Sequence, residues 1–223
     1  MAARAAVAPR PRPAWSLGEE IAHAVSHGVG VVLAIVGLPL LVALAALHGS
    51  AWHVTAAAIF GTSLVLLYSA STLYHAITNE RAKRVLRVLD HSSIYLAIAG
   101  TYTPFALGPL RGPWGWTLLA VVWSGAVAGI VFKSFDVGRA PILSTVVYVA
   151  MGWCVVVALG PLVRAVAPGG LILLFAGGLC YTLGIVFYAW PRRFHHFVWH
   201  LFVLAGSVLH YLAVYFFAIP RAA

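Results

Sequence analysis

From residue 21 onward the chain alternates between long apolar runs and short polar breaks. Seven runs can be marked, at approximately 21–46, 52–75, 88–107, 114–132, 142–161, 171–189 and 195–219. Each is close to the roughly 20 residues that carry a helix across a bilayer. The breaks carry turn and charge signals: His48 to Ser50, the charged stretch Asn79 to Arg87, and then Gly- and Pro-rich stretches at Gly108 to Pro113, Asp136 to Pro141, Ala167 to Gly170 and Trp190 to Arg193. A span in hydrocarbon must satisfy its backbone groups internally, which selects helices. The alternating ten-residue segments of a β-barrel are absent. The pattern therefore predicts an all-α polytopic membrane protein, a seven-transmembrane-helix bundle forming one domain over 19–220. Before it, residues 1–18 are mostly Ala, Arg and Pro, with Pro9, Pro11 and Pro13 opposing a helix. They read as a disordered cationic cytoplasmic tail. A signal peptide fits poorly, because the first run is too long and Glu19 and Glu20 precede it.

Composition leaves little alternative. Hydrophobic residues make up 62% and charged residues 9%, against about 25% charged in a soluble domain. Such a chain cannot cover a water-facing surface. The formal charge of +9 would suggest nucleic acid on a soluble protein; here the basic residues sit in the breaks, so they report orientation and no nucleic-acid partner is expected. With seven spans, Arg4, Arg10, Arg12, Arg81, Lys83, Arg84, Arg87, Lys133, Arg139, Arg192 and Arg193 share the side of the N-terminus, while Arg111, Arg164 and Arg221 lie opposite. Positive-inside then puts the N-terminus in the cytoplasm and the C-terminus outside. Cys154 and Cys180 lie singly in apolar runs and read as small buried side chains.

An ionisable residue inside a span is a functional candidate. His196 and His200 stand i, i+4 at the start of the seventh span, about 6 Å apart along one helix face. Ser71 and His75 repeat that spacing at the end of the second. Asp90 opens the third. The topology, derived from Lys and Arg alone, brings His75, Asp90, His196 and His200 to one depth near the cytoplasmic face. Three neutral imidazoles with one open position are the donor set of a catalytic zinc site, with water as fourth ligand. Zinc lowers the pKa of such water to about 7. Asp90 would hold that water as general base or orient a ligating ring. Ser71, one turn deeper than His75, would bond a substrate carbonyl or bond back to its own helix. Glu20, His23 and His27 would line the entrance or pair with a basic loop. His91 and His195 point away from the site, and His210, about 15 Å deeper than His200, would bond a neighbouring helix. Tyr95, Tyr102 and Thr103-Pro104 read as packing and a helix bend, and Trp52, Trp114, Trp116 and Trp190 as interface anchors.

These residues carry a resemblance. The segments Glu19 to Gly30, Ser71 to His75, Asp90 to Phe105 and His196 to His200 together resemble the hemolysin III family, the bacterial branch of the progestin and adipoQ receptor superfamily that includes the adiponectin receptors. The resemblance extends over the whole chain after the tail. It implies a seven-helix bundle with a cytoplasmic N-terminus and a zinc ion held by three histidines near the cytoplasmic face. The SxxxH motif carries onto Ser71 and His75, the HxxxH motif onto His196 and His200, and the aspartate of the third helix, thought to act through a water, onto Asp90. The superfamily is similar to the alkaline ceramidases, whose zinc site hydrolyses a lipid amide. His23 departs from the pattern, which would have Asn there, and so weakens any role for the first helix.

The expected protein is therefore a multi-pass protein of the bacterial cytoplasmic (inner) membrane, with Zn2+ as cofactor and a membrane lipid as substrate or ligand. The first reading is a zinc-dependent hydrolase of a lipid amide or ester. The alternative is a membrane lipid-state sensor or receptor whose zinc is structural. A pore-forming cytolysin fits less well, because a secreted toxin must stay soluble in transit. Haem would need histidines from two facing helices, and the i, i+4 pair suits zinc better.

Overall fold

The computed structural model describes residues 15–135, 141–190 and 192–220. Residues 1–14 of the expected tail, and the break at 136–140, lie outside the described residues. The first helix begins inside the expected tail, and its start is fixed by chemistry. Ser16 accepts from the Glu19 backbone N–H, while Glu19 Oε2 accepts from Ser16 N at 3.0 Å, a reciprocal capping box. Helix α1 then runs Leu17–His48. Helix α2 spans Ala51–Ala76, with Ser50 N donating to His53 Nδ1 at 3.1 Å. Helix α3 spans Glu80–Leu107 and is capped by Asn79 Oδ1, which accepts from the N–H groups of Arg81 and Ala82. Proline opens α4 (Pro113–Phe135), α5 (Pro141–Trp153) and α7 (Pro168–Ala189); its missing N–H is no loss at a first helical position. Between α5 and α7 lie a 3₁₀ segment, Cys154–Ala158, and the short α6, Leu159–Ala165. Helix α8, His195–Ala213, ends in a wider π turn, Val214–Ala218.

Counting Pro141–Ala165 as one rod, the described residues form seven helical rods and no strand. Six are long and apolar enough to cross a membrane. The exception, α3, has the length but not the apolarity. It begins with a charged first half and continues with Ser92, Ser93, Tyr95, Thr101, Tyr102 and Thr103. Its position explains this: α3 packs against α2, α4 and α5, and Ser92, Ser93, Tyr95 and Thr103 are buried. A helix screened by its neighbours need not be apolar on every face.

The bundle departs from a soluble protein in its outer surface, while its interior combines an apolar core that includes Leu41, Phe60, Leu64 and Tyr68 with buried polar side chains. Large apolar side chains point outward, as Leu17, Ile21, Val25, Val29, Val32, Val36 and Leu40 do along α1. The interior holds Glu19, His23, Ser26, His27, Ser63, Ser71, His75, His200 and Ser207. Hydrogen bonds and small residues, in place of hydrophobic exclusion, join the helices. Tyr211 OH donates to Gly37 O at 3.0 Å and locks α8 to α1, and Tyr181 OH meets Ser207 Oγ at 2.7 Å between α7 and α8. A Cβ on Gly177 would strike the His210 ring, so the absence of a side chain there permits the close approach of α7 and α8.

The break in the fifth rod has a partner. Tyr102 OH donates to Gly152 O at 2.7 Å and accepts from Val155 N–H at 3.0 Å, so one phenol from α3 serves both groups where the α-helical ladder changes to 3₁₀. Tyr102 thus does more than pack. Tyr102→Phe is expected to lower stability by about 1–3 kcal/mol while leaving the helix content intact, as measured by thermal unfolding in detergent followed by circular dichroism.

Candidate metal centre

Three helices deliver imidazoles to one point. His75 ends α2, and His196 and His200 share a face at the start of α8. Helix α1, between them, presents Glu20, His23 and His27 on one side at i, i+3, i+7. One ligand nitrogen each from His75, His196 and His200 falls within 4.8 Å of the others. His75 and His200 are buried and His196 is half-buried. The sequence-predicted ligands are thus brought together from helices 120 residues apart in the chain.

The hydrogen bonds around the rings decide which nitrogens are free. His75 Nδ1 lies 2.7 Å from Glu20 Oε2. A carboxylate only accepts, so Nδ1 carries the proton, and in the neutral imidazole Nε2 holds the lone pair. That Nε2 is buried, with no hydrogen-bond partner among the described residues. His200 Nδ1 lies 3.2 Å from His23 O and 3.1 Å from Ser26 Oγ, while Ser26 Oγ itself donates to His23 O. A carbonyl cannot donate, so His200 also presents Nε2 as a lone pair. Each ring is thus held in the tautomer that a metal requires, by an outer oxygen partner. All-nitrogen donors of this kind suit zinc, and the arrangement fits a bound metal.

Glu20 is itself held. Its Oε1 accepts from Lys83 Nζ at 2.5 Å, so a chain of contacts runs from α3 through α1 to His75 on α2. Both open readings of Glu20, at the site and paired with a basic segment, describe the same carboxylate. Glu19 orients the other side. Its Oε1 accepts from Phe194 N–H at 3.0 Å. Phe194 has a left-handed backbone, φ 59°, and α8 starts immediately after it. Helix α8 is thereby set against α1 at the turn that carries His196.

Ser71 is buried one turn below His75. Asp90 is half-buried; its carboxylate lies 3.5 Å from His91 Nδ1 of the same helix, and it is not among the donors that converge within 4.8 Å. His210 Nε2 donates to Leu174 O at 2.9 Å, bonding the neighbouring helix as expected. One residue escaped the sequence reading, and another was placed only at the entrance of the site. Trp15, assigned to the tail, stacks on His196 (4.8 Å between centroids, 27°) and abuts His23 and His75 at 5.1 and 5.0 Å. His23 lies among the three histidines. The i, i+3, i+7 pattern of Glu20, His23 and His27 was the available signal for His23; an isolated tryptophan after three prolines offered none.

Known proteins bear on this site. The model of the family described as "Haemolysin-III related" matches residues 15–211. The chain is 50% identical to the hemolysin-3 homolog of Bacillus subtilis over 92% of its own length and 97% of the relative's. It is 47% identical to hemolysin-3 of Bacillus cereus, covering 92% and 94%. With the human monocyte to macrophage differentiation factor it shares 28% identity over 88% of this chain and 83% of that one. No solved structure matches.

Because Glu20 fixes the tautomer of His75, Glu20→Ala is expected to weaken the affinity of the site for a metal ion by about 10–100-fold. Competition against a chromophoric chelator in detergent measures it.

Proposed function

The chain belongs to the haemolysin-III related family, and on that premise we propose that it is a zinc-dependent hydrolase of a membrane lipid amide or ester. In this reading it is a seven-span protein of the bacterial cytoplasmic membrane with its N-terminus inside. His75, His196 and His200 hold the zinc near the cytoplasmic face. The observation that carries it is the convergence of three imidazoles, two of which, His75 and His200, turn Nδ1 to an oxygen partner and leave Nε2 for a metal. A bound zinc would supply Lewis acidity and lower the pKa of water at the site.

The chain's own groups do the rest. Glu20 Oε2 and His23 O keep the imidazole lone pairs aimed inward. The Asp90 carboxylate takes the proton of the attacking water, and the Ser71 hydroxyl donates to the substrate carbonyl oxygen. The ester or amide linkage of a lipid lies at the depth where α2 ends and α8 begins, so the acyl chains remain in the membrane while the bond meets the site. A second reading, a lipid-state sensor with structural zinc, is favoured by Trp15, whose indole lies across the imidazoles. The Bacillus cereus relative's name points to a cytolysin; the apolar outer surface of this bundle favours residence in its own membrane.

Protein purified without added metal is expected to carry about one zinc per chain by mass spectrometry, and the His196→Ala, His200→Ala double variant to carry none. With the metal present, His75→Ala should abolish release of fatty acid from a panel of ceramide and glycerolipid vesicles that the wild type hydrolyses. Metal without turnover in the wild type would leave the sensor. Reporter fusions at Arg111 and at Ala223 are both expected to be active only outside the cytoplasm; cytoplasmic activity at either would overturn the orientation.

A further inference from the structure

We propose that the lipid received at the metal centre carries a phosphate group, held beside the centre by Lys83 and Arg87 of α3. The inference rests on the reading of the centre as a site for a membrane lipid, and not on hydrolysis. It starts from the polar beginning of α3. The helix opens at Glu80, two turns before the apolar run, and four basic residues ride on that extension: Arg81, Lys83, Arg84 and Arg87.

At about 100° per residue they divide into two pairs. Arg81 and Arg84 share a face with Val85 and Leu89, both of which are exposed. That face turns away from the bundle, and its arginines are explained by orientation in the membrane. Lys83 and Arg87 stand i, i+4 on the opposite face, the one that carries Asp90. Lys83 reaches from there to α1 and α2. Its Nζ donates to Glu20 Oε1 and lies 5.3 Å from the centre of the Tyr74 ring. Arg87 is within electrostatic reach of the Tyr74 phenol. The two cations thus overhang the end of α2 that delivers His75.

The acidic groups nearby do not neutralise them. Glu20 is shared between His75 Nδ1 and Lys83. Glu19 is taken by Ser16 and by the Phe194 N–H, and Asp90 lies beside His91. Glu80 is exposed and pairs with none of the four, and Arg87 makes no ion pair among the described residues. The Lys83 ammonium has three donors and uses one on Glu20. Across the site Arg193 lies over the Phe194 ring, 5.5 Å from its centre, at the turn where α8 starts. Donors therefore exceed acceptors around the centre, and an anion from outside the chain would balance them.

Distance selects the kind of anion. Through Glu20, the Lys83 ammonium stands no more than about 10 Å from His75 Nε2. In a glycerophospholipid about five bonds, a reach of roughly 6 Å, separate the phosphorus from the nearest ester carbonyl carbon. With that carbonyl at the metal's open position, the phosphate oxygens come within reach of Lys83 and, one turn along, of Arg87. The guanidinium fork of Arg87 matches two phosphate oxygens, and Lys83 adds a point charge. A neutral headgroup would leave both cations unused.

The test compares two lipids with identical oleoyl chains, phosphatidylglycerol and diacylglycerol, on the full-length protein in a neutral detergent. Retained lipid is counted by native mass spectrometry, and released fatty acid is measured alongside. The wild type is expected to hold phosphatidylglycerol at least about tenfold more tightly, the scale of a charge-assisted hydrogen bond. Arg87 is exposed, so its variants keep the fold. Arg87→Gln should abolish the preference and Arg87→Lys should retain part of it, while Arg84→Gln, on the outward face, should keep it whole. Equal retention of both lipids by the wild type would overturn the phosphate site. An equal loss in the Arg84 and Arg87 variants would do the same, because it marks diffuse surface charge. Displacement of the lipid by millimolar inorganic phosphate would assign the cations to the free ion and likewise overturn it. Phosphatidylglycerol held through Arg87 without release of fatty acid would remove hydrolysis and leave this proposal standing. Fatty acid released equally from both lipids, whatever residue stands at position 87, would do the reverse.

Discussion

An imidazole nitrogen in an apolar bundle must meet a proton donor, an acceptor or a metal. Most of this structure follows from that requirement. Four histidine rings meet at one end of the bundle, and His75 and His23 present buried nitrogens without protein partners. Burying a polar group unpaired costs several kcal/mol in hydrocarbon. The oxygens around the rings, from Glu20, Ser26 and the His23 carbonyl, take up the outer nitrogens and leave the inner ones facing a common centre. The lone pairs thus oppose one another across a space with no hydrogen-bond donor from the protein, a situation that a cation resolves and a purely structural core would avoid.

The rest of the bundle serves to hold those rings in place. Lys83 fixes Glu20 and so the His75 ring; Glu19 fixes the Phe194 turn and so the start of α8. Deeper in the bundle, Tyr211 ties α8 to α1 through the Gly37 carbonyl. Each contact joins α1 to another helix. The first helix is therefore the reference against which α2 and α8 are positioned, although the sequence-level motifs put the obvious ligands on the other two.

The seven apolar runs, and the histidines at i, i+4 within them, were legible because hydropathy and helix periodicity are local properties. Every run appears as a helical rod with ends within about four residues of the expected ones, except that α3 starts at Glu80, two turns early, through the charged stretch expected to be a break. The run at 88–107 was read as apolar like the others, and the polarity of α3 was missed: Ser92, Tyr95 and Thr103 are tolerated because other helices surround them, a fact about neighbours. The 3₁₀ break at Cys154–Ala158 depends on Tyr102, some 50 residues away. His23 was read as a departure from a motif, and only distances between four helical positions could show it among the other rings. Trp15 was misplaced in the tail because its partners lie on α2 and α8.

The cluster is also distributed in time. Helices α1 and α2 leave the ribosome together, and the contact of His75 with Glu20 can form as soon as α3 supplies Lys83. His196 and His200 come last, more than 100 residues later. Until α8 enters the bilayer, His23 lacks two of its neighbours, and its carbonyl, which already accepts from Ser26 Oγ, has no His200 ring to orient. The site is thus completed by the final span, so any ion it takes up seals a finished bundle. A chain truncated before α8 would keep most of its helices, yet carry only a half-built set of imidazoles.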